Sequence, residues 1–161
     1  MPELTRGCAA LLLVIVANVA PWAAGRFFPQ YWRAPLDGGA TLRDGTRVLG
    51  DHKTWRGLVI STLACAVVAR LLHFPLLLGA AFGALSLAAD CASSFVKRRL
   101  RLRPGTEVPG VDQLPEALVP LLLLSRPLGL SFVDAMAVAV VFMLLDLAAL
   151  RLRHPAAGAE H

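Results

Sequence analysis

Five apolar runs, separated by shorter polar segments, account for most of the chain. A membrane-spanning helix needs roughly 20 consecutive apolar residues, and most of the runs approach that length. The pattern therefore predicts an all-α integral membrane protein with about five transmembrane helices. The runs cover about Gly7–Gly25, Leu58–Leu72, Leu76–Ala92, Leu114–Leu124 and Phe132–Leu150. The fourth run is short for a full crossing, so we expect it to be tilted, partly buried or re-entrant.

The polar segments indicate how the chain is organised. The longest one, residues 26–56, is rich in Gly and Pro, and its stretch L-D-G-G-A-T-L-R-D-G-T-R-V-L-G is typical of turns with a short hairpin. We therefore predict a single transmembrane domain over residues 1–153, with a structured cytoplasmic loop between helices 1 and 2. Residues 154–161 are small and polar, which predicts a disordered tail.

The distribution of positive charge predicts an orientation. The net charge is +5 although 57% of the residues are hydrophobic. Thirteen of the 16 Lys and Arg residues fall on one side: six in the long polar segment, five after the third run and two after the fifth. The positive-inside rule places that side in the cytoplasm of the cell (inner) membrane, with the N-terminus outside and the C-terminus inside. Bases between membrane runs favour anionic lipid or nucleotide phosphate over nucleic acid as the partner.

Asp90, near the end of the third run, is the first candidate functional residue. A carboxylate there is costly unless it faces protein, water or a cation. At about 100° per residue, one helical face carries four polar side chains, Asp90, Ser94, Lys97 and Arg101. This stripe is typical of a site that binds a cation and a phosphate. The alternative is a helix end at the interface, where a nearby Lys or Arg neutralises Asp90.

Asp112 follows about twenty residues later, after the letters P-G-V. Carboxylates from a helix end and from a loop can share Mg²⁺, a hard cation that prefers oxygen ligands and substrate phosphates. We therefore take Asp90 and Asp112 as candidate metal ligands and, with Lys97, as candidate catalytic residues. The alternative is that Asp112 caps the fourth helix, because D-Q-L-P-E resembles a helix start with Glu116 in the first turn.

The segment K-R-R-L-R-L-R after Asp90 can bind phosphate. Arg side chains form forks that match phosphate oxygens, which makes Arg98 and Arg99 candidate phosphate contacts beside Lys97. The hydroxyl of Ser94 is a candidate substrate contact on the same helix. Positive clusters also flank cytoplasmic helix ends and often only set topology, an alternative that fits Arg103 best.

A second basic group precedes the second run, in G-D-H-K-T-W-R-G. Lys53, Thr54 and Arg56 lie in a turn flanked by glycines, and such a turn can bring backbone N–H groups and cations to an anion. The alternative is an ordinary basic start of helix 2, with Trp55 as an interfacial anchor.

Polar residues also interrupt two of the apolar runs. Asp146 lies in the fifth run, where a carboxylate needs a partner that the sequence does not identify. Asn18 and Pro21 interrupt the first run, and we predict structural roles for them. Pro frees a backbone carbonyl, and Asn can form hydrogen bonds across helices.

Together these segments resemble the CDP-archaeol synthase family, small membrane cytidylyltransferases related to CDP-diacylglycerol synthases. The resemblance covers nearly the whole chain and rests on A-N-V-A-P, L-D-G-G with D-G-T-R-V-L-G, K-T-W-R-G, D-C-A-S-S-F-V-K-R-R, and P-G with D-Q. The chain departs from the family at Ala89, where Gly is usual, and at D-Q-L-P-E, which replaces a more acidic D-Q-L-D.

The resemblance implies a Mg²⁺-dependent reaction of CTP with a phosphatidate-like lipid, an ether or diacyl glycerol phosphate, that gives CDP-lipid and pyrophosphate. The implied site residues are the metal ligands Asp90 and Asp112, the phosphate contacts Lys97, Arg98 and Arg99, and the nucleotide or lipid-phosphate contacts Lys53, Thr54 and Arg56.

A small membrane transporter or scaffold for anionic substrates is the alternative class. A transporter places its polar groups at mid-span, where only Asn18 and Asp146 qualify. The acids that bracket the basic segment favour an enzyme. A small bundle of this kind could also form a homodimer.

Overall fold

The computed structural model describes residues 3–100, 102 and 113–153. Asp112, Arg101 and Arg103 therefore lie outside the described residues. The described part is mostly helical, as the apolar runs predict. Its helices are α1 (Glu3–Phe27), α2 (Trp55–Leu71), α3 (Leu76–Arg99), α4 (Gln113–Leu123), α5 (Ser125–Leu128) and α6 (Phe132–Arg153).

Within the described residues, three helical segments are long and apolar enough to cross a membrane: Leu4–Phe27, Leu76–Arg99 and Phe132–Leu150. Helix α2 has 17 residues, just below that length. Helix α4 has 11 residues, about 16 Å at 1.5 Å per residue, which is well short of a hydrocarbon core of roughly 30 Å. The fourth run is thus short in the structure too, and the count of five spans stays a prediction.

A proline inside α1 is accommodated by a side chain from α2. Pro21 has no N–H, so the carbonyl of Ala17 one turn earlier loses its helical donor. The buried hydroxyl of Ser61 donates to this carbonyl oxygen at 3.0 Å. Asn18 donates to the carbonyl oxygen of Val14 at 3.0 Å, a bond within α1, where the sequence suggested one across helices. The predicted structural roles of Asn18 and Pro21 fit these contacts, although both residues also line the cavity described below.

Helices α2 and α3 approach each other closely because two glycines lie at their contact. A Cβ atom on Gly79 would lie 2.2 Å from the carbonyl oxygen of Cys65, and one on Gly83 would lie 2.5 Å from the carbonyl oxygen of Ser61. Small residues four positions apart allow such backbone contact between membrane helices. The turn between the two helices is tight, and His73 takes a left-handed φ of 64° there.

The remaining helices complete a bundle around one apolar core. Helix α4 packs against α3 and α6, and α1 contacts α2, α3 and α6. Large buried apolar side chains of this core come from four different helices: Leu13, Phe82, Leu121 and Phe142.

The two ends of the bundle differ. The start of α1 meets the turn before α6, where Arg6 donates to the carbonyl oxygen of Gly129 at 3.2 Å. The opposite end carries residues 28–54, which we call the first loop, together with the end of α3 and the start of α4. Charged residues of the candidate site lie at this second end.

Gly79→Ala is expected to destabilise the protein by about 1–3 kcal/mol, the usual cost of overpacking, because backbone atoms of α2 occupy the space of the new methyl group. Thermal unfolding in detergent, followed by circular dichroism, measures the effect. Gly7→Ala is the matched control, since its Cβ would lie 4.0 Å from the nearest atom, on Val138. An unchanged melting temperature for Gly79→Ala would contradict the close helix contact.

Candidate active site

A cavity of about 780 Å³ lies at the loop end of the bundle, between α1, the start of α2, α3, α4, α6 and the first loop. Its lining is strongly charged, with six Lys and Arg residues against four Asp and Glu residues. The charged lining residues are Arg26, Arg33, Asp51, Lys53, Arg56, Asp90, Lys97, Arg98, Glu116 and Asp146. Arg26, Arg33 and Asp51 are exposed, so the cavity opens beside the first loop.

An ion pair between the first loop and α3 lies in this cavity. The Nζ of Lys53 donates to Oδ2 of Asp90. Both side chains are largely withdrawn from solvent, with 18% and 22% of their surface exposed. The sequence offered neutralisation of Asp90 by a nearby base as one alternative, and the structure provides that base from a residue 37 positions away.

The predicted polar stripe of α3 lines one wall of the cavity. Asp90, Ser94 and Lys97 all face it, although Ser94 and Lys97 are buried. The chain has two lysines, Lys53 and Lys97, and both line the cavity. The structure therefore brings the two basic segments of the sequence together around Asp90.

The two arginines after Lys97 are placed differently. Arg98 lines the cavity and donates to the carbonyl oxygen of Leu102 at 2.8 Å, beyond the end of α3. Arg99 is not among the cavity-lining residues and reaches the first loop. It donates to Oγ1 of Thr46 at 2.6 Å and to Oδ2 of Asp44 at 3.3 Å. Its predicted phosphate contact stays a prediction, while its observed contacts hold the loop against α3.

Thr54 and Arg56 line the cavity and also have structural contacts. Oγ1 of Thr54 accepts a hydrogen bond from the amide of Gly57 at 3.2 Å, which caps the start of α2. Arg56 donates to the carbonyl oxygens of Phe28 and Tyr31 at 2.6 and 2.9 Å. These contacts fix the first loop to the start of α2.

Asp37 organises the first loop, a role that sequence reasoning missed. One carboxylate oxygen accepts from the amides of Leu49 and Gly50 at 3.0 and 3.3 Å. The other accepts from the amide of Gly39 and the guanidinium of Arg47, each at 3.0 Å. Burial alone would raise the pKa of Asp37, but these hydrogen bonds outweigh it and lower the pKa to about 2. The one available signal was an Asp before Gly-Gly, which predicted only a turn.

The loop places the backbone of Lys53 directly. The amide of Leu36 donates to the carbonyl oxygen of Lys53 at 2.7 Å. The amide of Lys53 donates to the carbonyl oxygen of Gly50 at 3.3 Å. The expected short hairpin is present as an isolated bridge between Thr41 and Arg47. The first loop is therefore an ordered support for one cavity lysine.

Asp146 has its partner on α4. The side-chain amide of Gln113 donates to Oδ2 of Asp146 at 3.0 Å, and both residues line the cavity. Glu116, one turn further along α4, adds a third carboxylate beside Asp90 and Asp146.

Within residues 3–100, 102 and 113–153, no group of three or more His, Cys, Asp and Glu side chains is arranged to hold a metal ion. The predicted ligand Asp112 lies outside those residues.

The fold and its charged cavity define a membrane-embedded enzyme, and comparison with a solved structure agrees. An intramembrane enzyme for archaeal membrane lipids biosynthesis superposes with a TM-score of 0.75 at 35% identity, covering 88% of this chain and 90% of the other.

Family comparison makes the assignment specific. The CarS-like CDP-archaeol synthase model matches residues 10–152. The CDP-archaeol synthase of Aeropyrum pernix is 38% identical over 152 residues, 86% of this chain and 80% of the relative. That of Thermofilum pendens is 35% identical over 117 residues, and the match spans only 57% of the relative. The chain belongs to the CDP-archaeol synthase family, whose members are membrane cytidylyltransferases that make a CDP-lipid.

Asp37→Asn is expected to loosen the first loop, because the amide presents an NH₂ group where the carboxylate accepts hydrogen bonds. Trypsin should cleave the loop at least about tenfold faster, while the bundle melts at an unchanged temperature. Asp51→Asn is the control, since Asp51 also pairs with Arg47 but is 79% exposed. Equal cleavage rates for the two variants would contradict the role of Asp37.

The same carboxylate predicts a pH dependence. The pKa of Asp37 in the folded protein lies below its ordinary value of 3.8, at about 2. Its stabilisation of the loop is therefore complete above the ordinary value and is lost as the pH falls through the lowered one. Protection of the wild-type loop, measured by acid-active proteolysis with pepsin, should decrease across that window. Cleavage of Asp37→Asn should change less across the same window.

Proposed function

We propose that the protein is a Mg²⁺-dependent cytidylyltransferase that converts CTP and a phosphatidate-like lipid to CDP-lipid and pyrophosphate in phospholipid biosynthesis. Family membership supports the reaction class. The observation that carries the proposal is the charged cavity at the end of the membrane-helix bundle, with the Lys53–Asp90 pair inside it. Such a cavity can receive a soluble nucleotide and a membrane lipid together.

The bases of the cavity suit the phosphates of both substrates. Lys53, Lys97 and Arg98 line its interior, and Arg26 and Arg33 lie at its opening. Arg forks and Lys ammonium groups bind phosphate oxygens through charge-assisted hydrogen bonds. We assign the interior bases to the triphosphate of CTP and the outer ones to the lipid phosphate.

The chemistry of Asp90 fits a magnesium ion. Mg²⁺ prefers carboxylate oxygens and usually completes its shell with water and substrate phosphates, and Asp90 presents its carboxylate to the basic cavity. With Asp112, Asp90 would hold the ion. When bound, Mg²⁺ neutralises phosphate charge.

The reaction needs no activated side-chain nucleophile. An oxygen of the lipid phosphate attacks the α-phosphorus of CTP and forms the new P–O bond. The bond from that phosphorus to the oxygen bridging the β-phosphate breaks, and pyrophosphate leaves with the electron pair. The cavity residues orient the two phosphates and offset the charge that develops between them.

Aromatic side chains beside the cavity suit the lipid–water interface. Phe27, Phe28, Tyr31 and Trp32 are strongly exposed where α1 enters the first loop, and Trp22 lines the cavity itself. Aromatic belts of this kind lie at headgroup level. The cavity would then open at the depth of a lipid phosphate.

Incubation of the purified protein with labelled CTP, Mg²⁺ and a panel of ether and diacyl phosphatidates tests the proposal. We expect labelled CDP-lipid and pyrophosphate in equal amounts. Asp90→Asn should lower the rate at least about a hundredfold, the scale for loss of transition-state charge stabilisation. Asp134→Asn, at the other end of α6, should leave the rate nearly unchanged. No CDP-lipid from any phosphatidate would overturn the proposal and favour the transporter or scaffold alternative.

We further propose that the first loop faces the cytoplasm, with the N-terminus outside, because the loop carries much of the positive charge and CTP is cytosolic. Cysteine labelling tests this after replacement of Cys8, Cys65 and Cys91. A cysteine at Ala40, which is exposed in the loop, should react with an impermeant maleimide only after right-side-out vesicles are opened. Labelling from outside would reverse the orientation.

A further inference from the structure

The carboxylate predicted to hold metal is already engaged by a cation. The ammonium group of Lys53 contacts Oδ2 of Asp90. The two residues belong to different elements, the first loop and α3, and both line the cavity. An ammonium ion and a metal ion cannot both contact one carboxylate oxygen closely without strong repulsion.

We propose that Lys53 is a placeholder cation, which neutralises Asp90 in the nucleotide-free protein and transfers to a nucleotide phosphate when metal and nucleotide bind. This inference rests on the proposed function and deepens it. It gives Lys53 two successive partners, a carboxylate and a phosphate.

The local structure allows the exchange without refolding. The backbone of Lys53 is held by hydrogen bonds with Leu36 and Gly50, so only its flexible four-carbon side chain needs to move. Lys97 and Arg98 line the same cavity, so phosphates attracted there come within reach of the Lys53 side chain. The loop thus delivers the ammonium group to the place where nucleotide and metal would meet.

The exchange has consequences of opposite sign. Removing the ammonium group removes a competitor for Asp90, so metal should bind more tightly when nucleotide is absent. The same change removes a phosphate contact, so CTP should bind more weakly. If Lys53 only held the first loop against α3, its removal would not raise the metal affinity. If it acted only through the summed positive charge of the cavity, removal of any other cavity charge would raise the metal affinity equally.

Titration of the detergent-purified protein with Mn²⁺, followed by electron paramagnetic resonance without nucleotide, separates these cases. Mn²⁺ suits the same oxygen ligands as Mg²⁺. Lys53→Met should bind Mn²⁺ at least about tenfold more tightly than wild type. Arg33→Met, which removes one exposed charge from the cavity opening, should differ less than about twofold because exposed charges are screened. Asp90→Asn should lose this binding.

Isothermal titration calorimetry with CTP and Mg²⁺ is the second experiment. Lys53→Met should bind CTP about tenfold more weakly than the wild-type protein. Unchanged or weaker Mn²⁺ binding by folded Lys53→Met overturns the inference, as does an equal gain in Arg33→Met. If Lys53→Met does not fold, Lys53→Arg tests the inference instead. A guanidinium binds a carboxylate through two hydrogen bonds, so Lys53→Arg should lower the Mn²⁺ affinity severalfold. Wild-type Mn²⁺ affinity in Lys53→Arg would then overturn it.

The outcome is separable from that of the proposed function. CDP-lipid synthesis together with unchanged Mn²⁺ affinity in Lys53→Met would refute the placeholder role alone. Tighter Mn²⁺ binding without any CDP-lipid synthesis would refute the proposed reaction and leave the exchange at Asp90 in place.

Discussion

The structure depends on the compensation of one carboxylate inside a bundle of membrane helices. An ionised Asp90 at the cavity wall is costly without a cation beside it, and Lys53 supplies that cation from another part of the chain. A lysine on a loop can do so only if the loop is ordered. Asp37, Arg56 and Arg99 provide this order through hydrogen bonds to the loop backbone and side chains.

The two ends of the bundle differ in how their polar groups are compensated. At one end, helices pack through glycines and apolar side chains, and the proline in α1 is compensated by Ser61. At the other end, the helices surround a charged cavity. Because polar groups are gathered where the helices end, a soluble substrate can reach them without crossing the apolar core. This arrangement suits an enzyme that joins a nucleotide to a lipid and gives no support to a mid-span transport path.

Helical periodicity predicted the part of the site that lies on α3. It could not predict contacts between residues that are far apart in the sequence. Asp90, Ser94 and Lys97 share a wall because their spacing follows the helical repeat, although hydropathy placed the end of this run near Ala92 and α3 continues to Arg99. Polar residues can extend a helix beyond the hydrocarbon core. Hydropathy therefore locates the membrane-embedded part of the helix but not the residue at which the helix ends. The partners of Asp90 and Asp146 lie 37 and 33 residues away. No periodic signal links residues across a loop or between helices, and Asp37 looked like an ordinary turn residue for the same reason.

The central claim, that CTP binds beside Lys53 and Asp90, can be measured by affinity labelling. An acyl phosphate of CTP, with the acyl group on the γ-phosphate, acylates lysine amines close to the bound phosphates and releases CTP, and the chain has only Lys53 and Lys97 as lysine targets. With Mg²⁺ present, mass spectrometry should find the adduct on one or both of these lysines, and excess CTP should protect them while ATP does not. Labelling that CTP fails to prevent, or that falls only on the N-terminal amine, would contradict the account.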